Sequence, residues 1–341
     1  MRFARAPSIA LGLSLLGLEL TAASTARASP DPCATSASVS PCFDADPWWI
    51  PTGPSAFAGV PTAHTLSAGT LAWVLGAGVS TRPVVLVTAS PHPEGQEIDV
   101  VELTSTLTVG ARYGLGRGID VDAVLPFVPY QTGAGTESVT SQAASPLAPV
   151  ALRDPRLGFA ATLLGRSPEA PFSLGTRLAL TLPLGGAHAM AGFAGPTLSP
   201  GFTGELVQGR LDAALDLGLR LAPAVSFGTV RQGSSATIAL GVSVAVLREP
   251  LLAVGLEGML RPSLVGPAAG APSGTLDLPA EWLASLRFEP SPLWSLLIGA
   301  GSGLPLSSAR APGAKSETVL AVTSPGFRGL LTARYTLPSI F

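Results

Sequence analysis

Apolar and polar residues alternate along the segment from Arg210 to Leu221. Its odd positions are all leucine or alanine, whereas its even positions include Asp212, Asp216 and Arg220. Successive side chains of a β-strand point to opposite faces, so this period of two predicts a strand. One face of that strand is apolar and the other is charged, so the two faces must meet different environments.

Eleven further segments show the same two-residue period, and clusters of Gly, Pro and Ser separate them. Together the twelve segments lie near residues 66–80, 98–113, 118–130, 156–166, 172–184, 200–208, 210–222, 235–247, 251–264, 276–289, 293–304 and 326–337. An even number of strands is typical of bacterial membrane barrels.

The composition favours strands that cross a membrane. The chain is 47% hydrophobic and only 12% charged, yet no stretch after residue 29 has the roughly 18 uninterrupted apolar residues of a spanning helix. Only helices and closed barrels satisfy every backbone hydrogen bond within lipid. The sequence therefore predicts an all-β protein, a transmembrane antiparallel up-and-down β-barrel of about 12 strands over residues 65–341. The alternative is a soluble sandwich, in which the aromatic residues at strand ends pack in a core.

The N-terminus predicts export. Arg2 and Arg5 precede an apolar run over residues 9–20, and Ala26-Arg27-Ala28 completes a secretory signal peptide over residues 1–28. This is the signal used for secretion by the Sec route. Residues 29–64 have no sustained period, so we expect either an irregular periplasmic segment or a plug that folds into the barrel mouth.

Cys33 and Cys42 are the only cysteines of the chain. In an exported protein they predict a disulfide, because the compartment is oxidising. A redox pair or a metal site is the other possibility, but neither CxxC spacing nor clustered histidine accompanies the two residues. We therefore expect a disulfide and no metal.

Tight and long connections alternate between the predicted strands. Short turns are expected near 114–118, 166–171, 208–209, 248–250 and 290–292, and longer loops lie between them. Barrels of the bacterial outer membrane keep their short turns in the periplasm. The expected location is therefore the outer membrane of a Gram-negative bacterium, with both the N- and C-termini periplasmic.

The C-terminal residues resemble the assembly signal of such barrels. Tyr335, Leu337 and Phe341 lie on the same face of the last strand, and Phe341 is a terminal aromatic. We expect them to be recognised by the barrel-assembly machinery, although Pro338 and Ser339 depart from the usual pattern.

Two motifs carry a family resemblance. Gly110-Ala111-Arg112-Tyr113-Gly114-Leu115 leads into a strand that ends Leu125-Pro126-Phe127, and Thr181-Leu182-Pro183-Leu184-Gly185 is similar to a later strand. This resembles the porin-like and transporter-like superfamily of Gram-negative outer-membrane barrels, and the barrel part of OmpA-like proteins. The chain stops at Phe341, without the peptidoglycan-binding module of the OmpA-like proteins. The resemblance implies architecture and names no substrate.

Charged residues of opposite sign share the face predicted to line the lumen. The acidic ones are Asp120, Asp122, Asp212, Asp216, Glu257 and Glu281, and the basic ones are Arg112, Arg177, Arg220, Arg261, Arg287, Arg328 and Arg334. One interpretation is a ladder that neutralises itself across neighbouring strands, with Arg112 beside Asp120. The other is a pore whose separated charges orient a solute.

The function favoured by this pattern is a passive porin-like channel for small polar solutes, with outer-membrane lipid around it. A structural or surface-interaction barrel with a closed lumen is the alternative, and an outer-membrane hydrolase is less favoured. The three histidines lie outside the strands, so we predict no catalytic residue and no cofactor. A formal net charge of −2 gives no basic footprint for nucleic acid.

Overall fold

A computed structural model describes residue 33 and residues 39–88, 96–137, 146–167, 170–228, 230–266, 278–304, 320–322 and 324–338. The predicted signal peptide, His92 and Phe341 lie outside the described residues. No helix in these ranges is long and apolar enough to cross a membrane.

Within the described residues, twelve antiparallel strands form one closed barrel, because the first strand pairs with both the second and the last. The strands are β1 (Leu71–Thr88), β2 (Gln96–Gly116), β3 (Ile119–Thr132), β4 (Arg156–Leu164), β5 (Phe172–Thr181), β6 (Thr197–Gln208), β7 (Leu211–Arg220), β8 (Ser235–Arg248), β9 (Leu251–Leu260), β10 (Ala280–Ser291), β11 (Trp294–Leu304) and β12 (Phe327–Leu337). Each of the twelve predicted segments overlaps one of them, and the predicted all-β barrel is confirmed.

The two ends of the barrel differ in their connections. At one end, here called the turn end, neighbouring strands are joined by tight turns such as Gly209-Arg210, where Gly209 adopts a φ of +64°. Leu71 of β1 and Leu337 of β12 pair there, so the barrel begins and finishes at the turn end. The opposite end, the loop end, carries the long connections.

Short elements extend the wall at the loop end. Ala151–Leu152 pairs with β3, and Leu320–Val322 pairs with β1. Val225–Phe227 and Val230–Gln232 form a small hairpin within the loop between β7 and β8. A single 3-10 turn, Ala187–Ala189, lies between β5 and β6.

The first hairpin is longer than the sequence predicted. The predicted first strand ends near residue 80, three residues before Pro83, which lacks a backbone N–H for the ladder. In the structure β1 continues to Thr88, and the ladder shifts register between Thr81 and Val84. Arg82 takes up this irregularity with a φ of +50° and pairs with Asp99 at 2.8 Å. The bulge keeps both strands paired beyond the proline.

The outer face of the barrel is apolar and exposed. Leu75, Leu256 and Ile298 are each 57–58% exposed, although all three lie in the middle of strands. Phe172 and Trp294 lie near the turn end of this face, and Phe327 lies at the loop end. A band of aliphatic residues with aromatic residues towards its edges suits contact with lipid. A soluble sandwich would bury such a face, so this alternative is not supported.

Candidate functional site

Residues 39–66, here called the plug, lie inside the barrel. Trp48, Ile50 and Phe57 are at most 5% exposed and pack in one cluster with Leu283 and Leu297 of the barrel wall. Of the two positions considered for residues 29–64, the structure gives the described residues 39–64 the interior one. Their apolar side chains bury against the barrel wall.

The plug crosses the full height of the barrel. At the loop end, Val39 bridges to Phe227 and Asp44 bridges to Ala191. At the turn end, Gly114 donates a backbone hydrogen bond of 2.9 Å to Thr70, directly before β1 begins. The plug therefore enters at the loop end and leaves at the turn end.

An apolar cap joins the plug to the loop end. Cys33 and Cys42 form the disulfide that the sequence predicted, with 5.4 Å between their Cα atoms. Beside it, the rings of Phe43 and Phe227 meet edge to face at 4.8 Å between centroids. Buried valines and leucines of β1 and β2, with Leu86 among them, complete the cluster. The extended first hairpin thus covers the point where the plug enters.

The strongest single clamp on the plug is the carboxylate of Glu257 on β9. It accepts backbone hydrogen bonds from Ala58, Gly59 and Val60 at 2.6, 2.8 and 3.2 Å. Glu257 is 2% exposed, so these three N–H groups replace the water that the carboxylate has lost. Opposite it, Arg334 donates to the backbone oxygens of Ser55 at 2.7 Å and of Phe57 at 2.8 Å.

Glu257→Gln is expected to lower the free energy of unfolding by about 1–2 kcal/mol, because an amide is neutral and presents one acceptor instead of two. Urea unfolding of the folded barrel in lipid vesicles measures this. Glu249→Gln, in the exposed turn before β9, is the matched control and should change nothing measurable. Equal losses in both variants would contradict the clamp.

A second group of clamps lies at the turn end. Glu205 of β6 accepts from the Thr62 hydroxyl at 2.7 Å and from the Ala63 N–H at 2.9 Å. Asp120 accepts from the Leu66 N–H at 3.1 Å and from Arg112 Nε at 2.6 Å, so the expected neighbours Arg112 and Asp120 are in contact. These carboxylates hold the plug through two backbone N–H groups and the Thr62 hydroxyl.

Arg328 is the charged hub of the loop end. It pairs with Glu281 at 2.7 Å and with Asp46 of the plug at 2.9 Å, and its guanidinium carbon lies 5.1 Å from the ring centre of Trp48. Arg153 binds the plug from the loop between β3 and β4, pairing with Asp44 at 2.7 Å. Plug and wall therefore share a network of opposite charges.

Asp154 fastens the neighbouring loop. It accepts backbone hydrogen bonds from Gly185 at 2.7 Å and from Phe193 at 2.8 Å. Burial raises the pKa of this carboxyl above its ordinary value, although both hydrogen bonds act in the opposite direction.

Other candidate residues pair along the wall. Arg177 binds Asp216 through two hydrogen bonds, and Arg287 pairs with Asp212 at 3.0 Å. Arg261 is 3.7 Å from Glu281. Asp122 accepts from the Thr52 hydroxyl of the plug at 3.1 Å. Arg220 has no such partner among the described residues.

The residues proposed as an assembly signal lie at the turn end where they are described. The rings of Tyr335 and Trp294 are 4.6 Å apart, and Leu337 pairs with Leu71. Their recognition by the assembly machinery stays a prediction.

Several charged side chains inside the barrel were not among the residues predicted to line the lumen. Arg156 shares the inward face of β4 with Gly158 and Thr162, so the alternation itself carried a signal for it. Glu205 holds an equivalent position on β6. Asp44 and Asp46 belong to an irregular segment, in which no period indicates what a side chain will face.

A cavity of about 150 Å³ runs between the plug and the wall formed by β3 to β9. Arg220, Arg261 and Phe193 line it near the loop end, and Ala63 and Ala161 line it near the turn end. Four of its lining residues are acidic and five are arginines, so charges of both signs line the cavity beside apolar residues.

The barrel is similar to solved structures of outer-membrane channels. The crystal structure of an outer membrane channel from Pseudomonas putida F1 matches with a TM-score of 0.54 at 15% identity, over 81% of this chain and 98% of that one. The shared fold is an outer-membrane β-barrel. The KdgM porin in complex with oligogalacturonate matches with a TM-score of 0.42 at 8% identity, over 78% of this chain and 98% of that one. The NanC porin matches with a TM-score of 0.43 at 7% identity, over 78% of this chain and 100% of that one.

The match with a TM-score of 0.54 supports the predicted outer-membrane β-barrel fold, whereas the resemblance to OmpA-like proteins gains no specific support. No protein-family model and no curated protein sequence matches the chain.

Proposed function

We propose that this protein is a passive channel of the Gram-negative outer membrane that conducts small polar solutes past its plug. The observation that carries the proposal is the cavity of about 150 Å³ with charged lining residues, which lies between plug and wall inside a closed barrel with an apolar outer face. Tight turns on the periplasmic side and long loops outside fit this placement.

The size of the cavity limits what passes. Pockets that hold drug-sized ligands have volumes of roughly 300–1,000 Å³, whereas this cavity has about 150 Å³. Water and small ions fit beside the plug in this arrangement. Larger solutes require the plug to shift, and the clamps at Glu257, Glu205 and Arg328 oppose such a shift.

Purified, refolded protein is expected to give small, uniform conductance steps in planar lipid bilayers in potassium chloride. Heat-modifiable migration on gels serves as the control for a folded barrel. Folded protein that inserts and stays electrically silent would contradict the channel and favour a structural or surface-interaction barrel with a closed lumen.

The hydrolase alternative has no supporting geometry in the described residues. His64 is in the plug near the turn end, and His188 is exposed at the loop end, so the two lie at opposite ends of the barrel.

A further inference from the structure

We propose that the cavity contains a binding site for a small oxyanion, such as a carboxylate or a phosphate, between Arg156 of β4 and Arg220 of β7. This rests on the proposed function for its role in transport, because it makes the passage selective for anions. The evidence for the binding site itself is which charged side chains inside the barrel have an ionic partner and which have none.

Arg156 and Arg220 differ from the other cavity arginines in having no ionic partner. Among the described residues, no carboxylate oxygen lies within 4.0 Å of either guanidinium group. The Nε atom of each is buried and has no hydrogen-bond partner. Both side chains are half-buried, and a partly desolvated guanidinium group with an unmet donor favours an anion or water as its partner.

Aromatic rings position both arginines. The guanidinium carbon of Arg156 lies 4.6 Å from the ring centre of Trp49 in the plug, and that of Arg220 lies 4.9 Å from the ring centre of Phe193. Stacking on a ring restrains a guanidinium group, and the N–H donors at the edge of that guanidinium group stay available to a ligand. Both residues line the same cavity.

The carboxylates that line this cavity already have donors within the protein. Asp216 is bound by Arg177 and by the Thr203 hydroxyl at 2.8 Å, and Asp44 is bound by Arg153. Asp154 accepts two backbone N–H groups, and Asp122 accepts the hydroxyl of Thr52. Asp122 and Asp154 nevertheless have no ionic partner within 4.0 Å among the described residues, so the cavity holds two carboxylates and two arginines, Arg156 and Arg220, outside any ion pair.

Two glycines of the wall leave room for the side chain of Arg177. A Cβ atom at Gly201 would lie 3.0 Å from the guanidinium carbon of Arg177, and one at Gly218 would lie 3.2 Å from a terminal nitrogen of the same side chain. Arg177 therefore lies flat against β6 and β7 as it reaches Asp216. Arg177 lines the same cavity as Arg156 and Arg220, with its charge paired to Asp216.

Planar guanidinium groups bind oxyanions through paired N–H donors, and neutral molecules gain no such charge-assisted bonds. The chemistry thus selects carboxylates and phosphates over neutral solutes and cations. The site should also favour a small anion such as chloride over cations, because of its negative charge alone.

The first experiment measures the reversal potential of single channels in a potassium chloride gradient. Wild type is expected to prefer chloride over potassium, and Arg156→Gln with Arg220→Gln should lower the permeability ratio at least about threefold. Arg156→Lys keeps the charge and should retain the preference. Arg82→Gln, exposed and outside the lumen, is the control and should match wild type.

The second experiment detects binding without conduction. Titrating folded protein with acetate or inorganic phosphate should change tryptophan fluorescence with saturation, because an anion on Arg156 alters its contact with Trp49. The change should vanish in Trp49→Phe and Arg156→Gln and persist in Trp73→Phe, whose ring lies on the outer face. Acetamide, neutral and of similar shape, should give no change.

The outcomes separate the site from the channel. Saturable binding with silent bilayers would overturn the proposed function and leave the anion site standing. Conductance without chloride preference, together with no fluorescence change for acetate or phosphate, would overturn the site and leave the channel standing. A response to acetate alone or to phosphate alone identifies which oxyanion the site accepts and supports it.

Discussion

Deletion of residues 33–64 is expected to raise the single-channel conductance at least about fivefold, because a twelve-stranded barrel falls between those filled by side chains and those that enclose water. The deletion removes both cysteines and most of the plug. Glu257 and Arg334 then lose their backbone partners on residues 55–60. Without the plug, water in the lumen hydrates both side chains, and their opposite charges attract each other. The barrel is therefore expected to fold without the plug.

The control for this deletion is Cys33→Ser with Cys42→Ser, which removes the disulfide and leaves every clamp in place. Its conductance should stay within about twofold of wild type, since a disulfide closing so short a loop orders its own neighbourhood. Heat-modifiable migration verifies that each variant is folded. A folded deletion variant with wild-type conductance would show that the plug does not limit the passage.

The wall of this barrel was predictable because one local rule governs it. Every wall strand has lipid-facing and interior side chains in turn, so a period of two marks the strand and its inward residues together. Arg177, Asp212 and Asp216 followed that rule. Arg156 also follows this rule, but it was not predicted as an inward residue because it is the first residue of β4.

The plug was not predictable in the same way. The contact between Glu257 and the N–H groups of residues 58–60 joins positions 197–199 residues apart, and nothing in the local pattern of either segment specifies it. The extension of β1 past Pro83 likewise depends on a bulge, which the ladder with β2 stabilises. Local periodicity reports the environment of a strand, whereas docking of an irregular segment depends on complementarity between distant surfaces.

Arg328→Met is expected to lower the free energy of unfolding by about 3 kcal/mol, because removing one partner from a buried ionic network leaves the other charges uncompensated. The side chain of Arg328 is 4% exposed and serves both Glu281 and Asp46. Methionine keeps an unbranched apolar stem in place of the arginine stem, and it removes both the charge and the guanidinium group over Trp48. After the change, the remaining ionic partner of Asp46 is Arg153 at 3.7 Å, and that of Glu281 is Arg261 at 3.7 Å.

Arg82→Met is the matched control, since Arg82 also pairs with two carboxylates but its side chain is 45% exposed. An exposed pair contributes about 0–1 kcal/mol, so the control should lose less than Arg328→Met by at least about twofold. Urea unfolding in lipid vesicles compares the two. Adding Asp46→Asn and Glu281→Gln to Arg328→Met should restore part of the lost stability, because these changes remove the charges of the two carboxylates that lost their short ion pairs with Arg328. Equal losses at Arg82 and Arg328, or no recovery in the triple variant, would mean that packing and not charge holds the plug at the loop end.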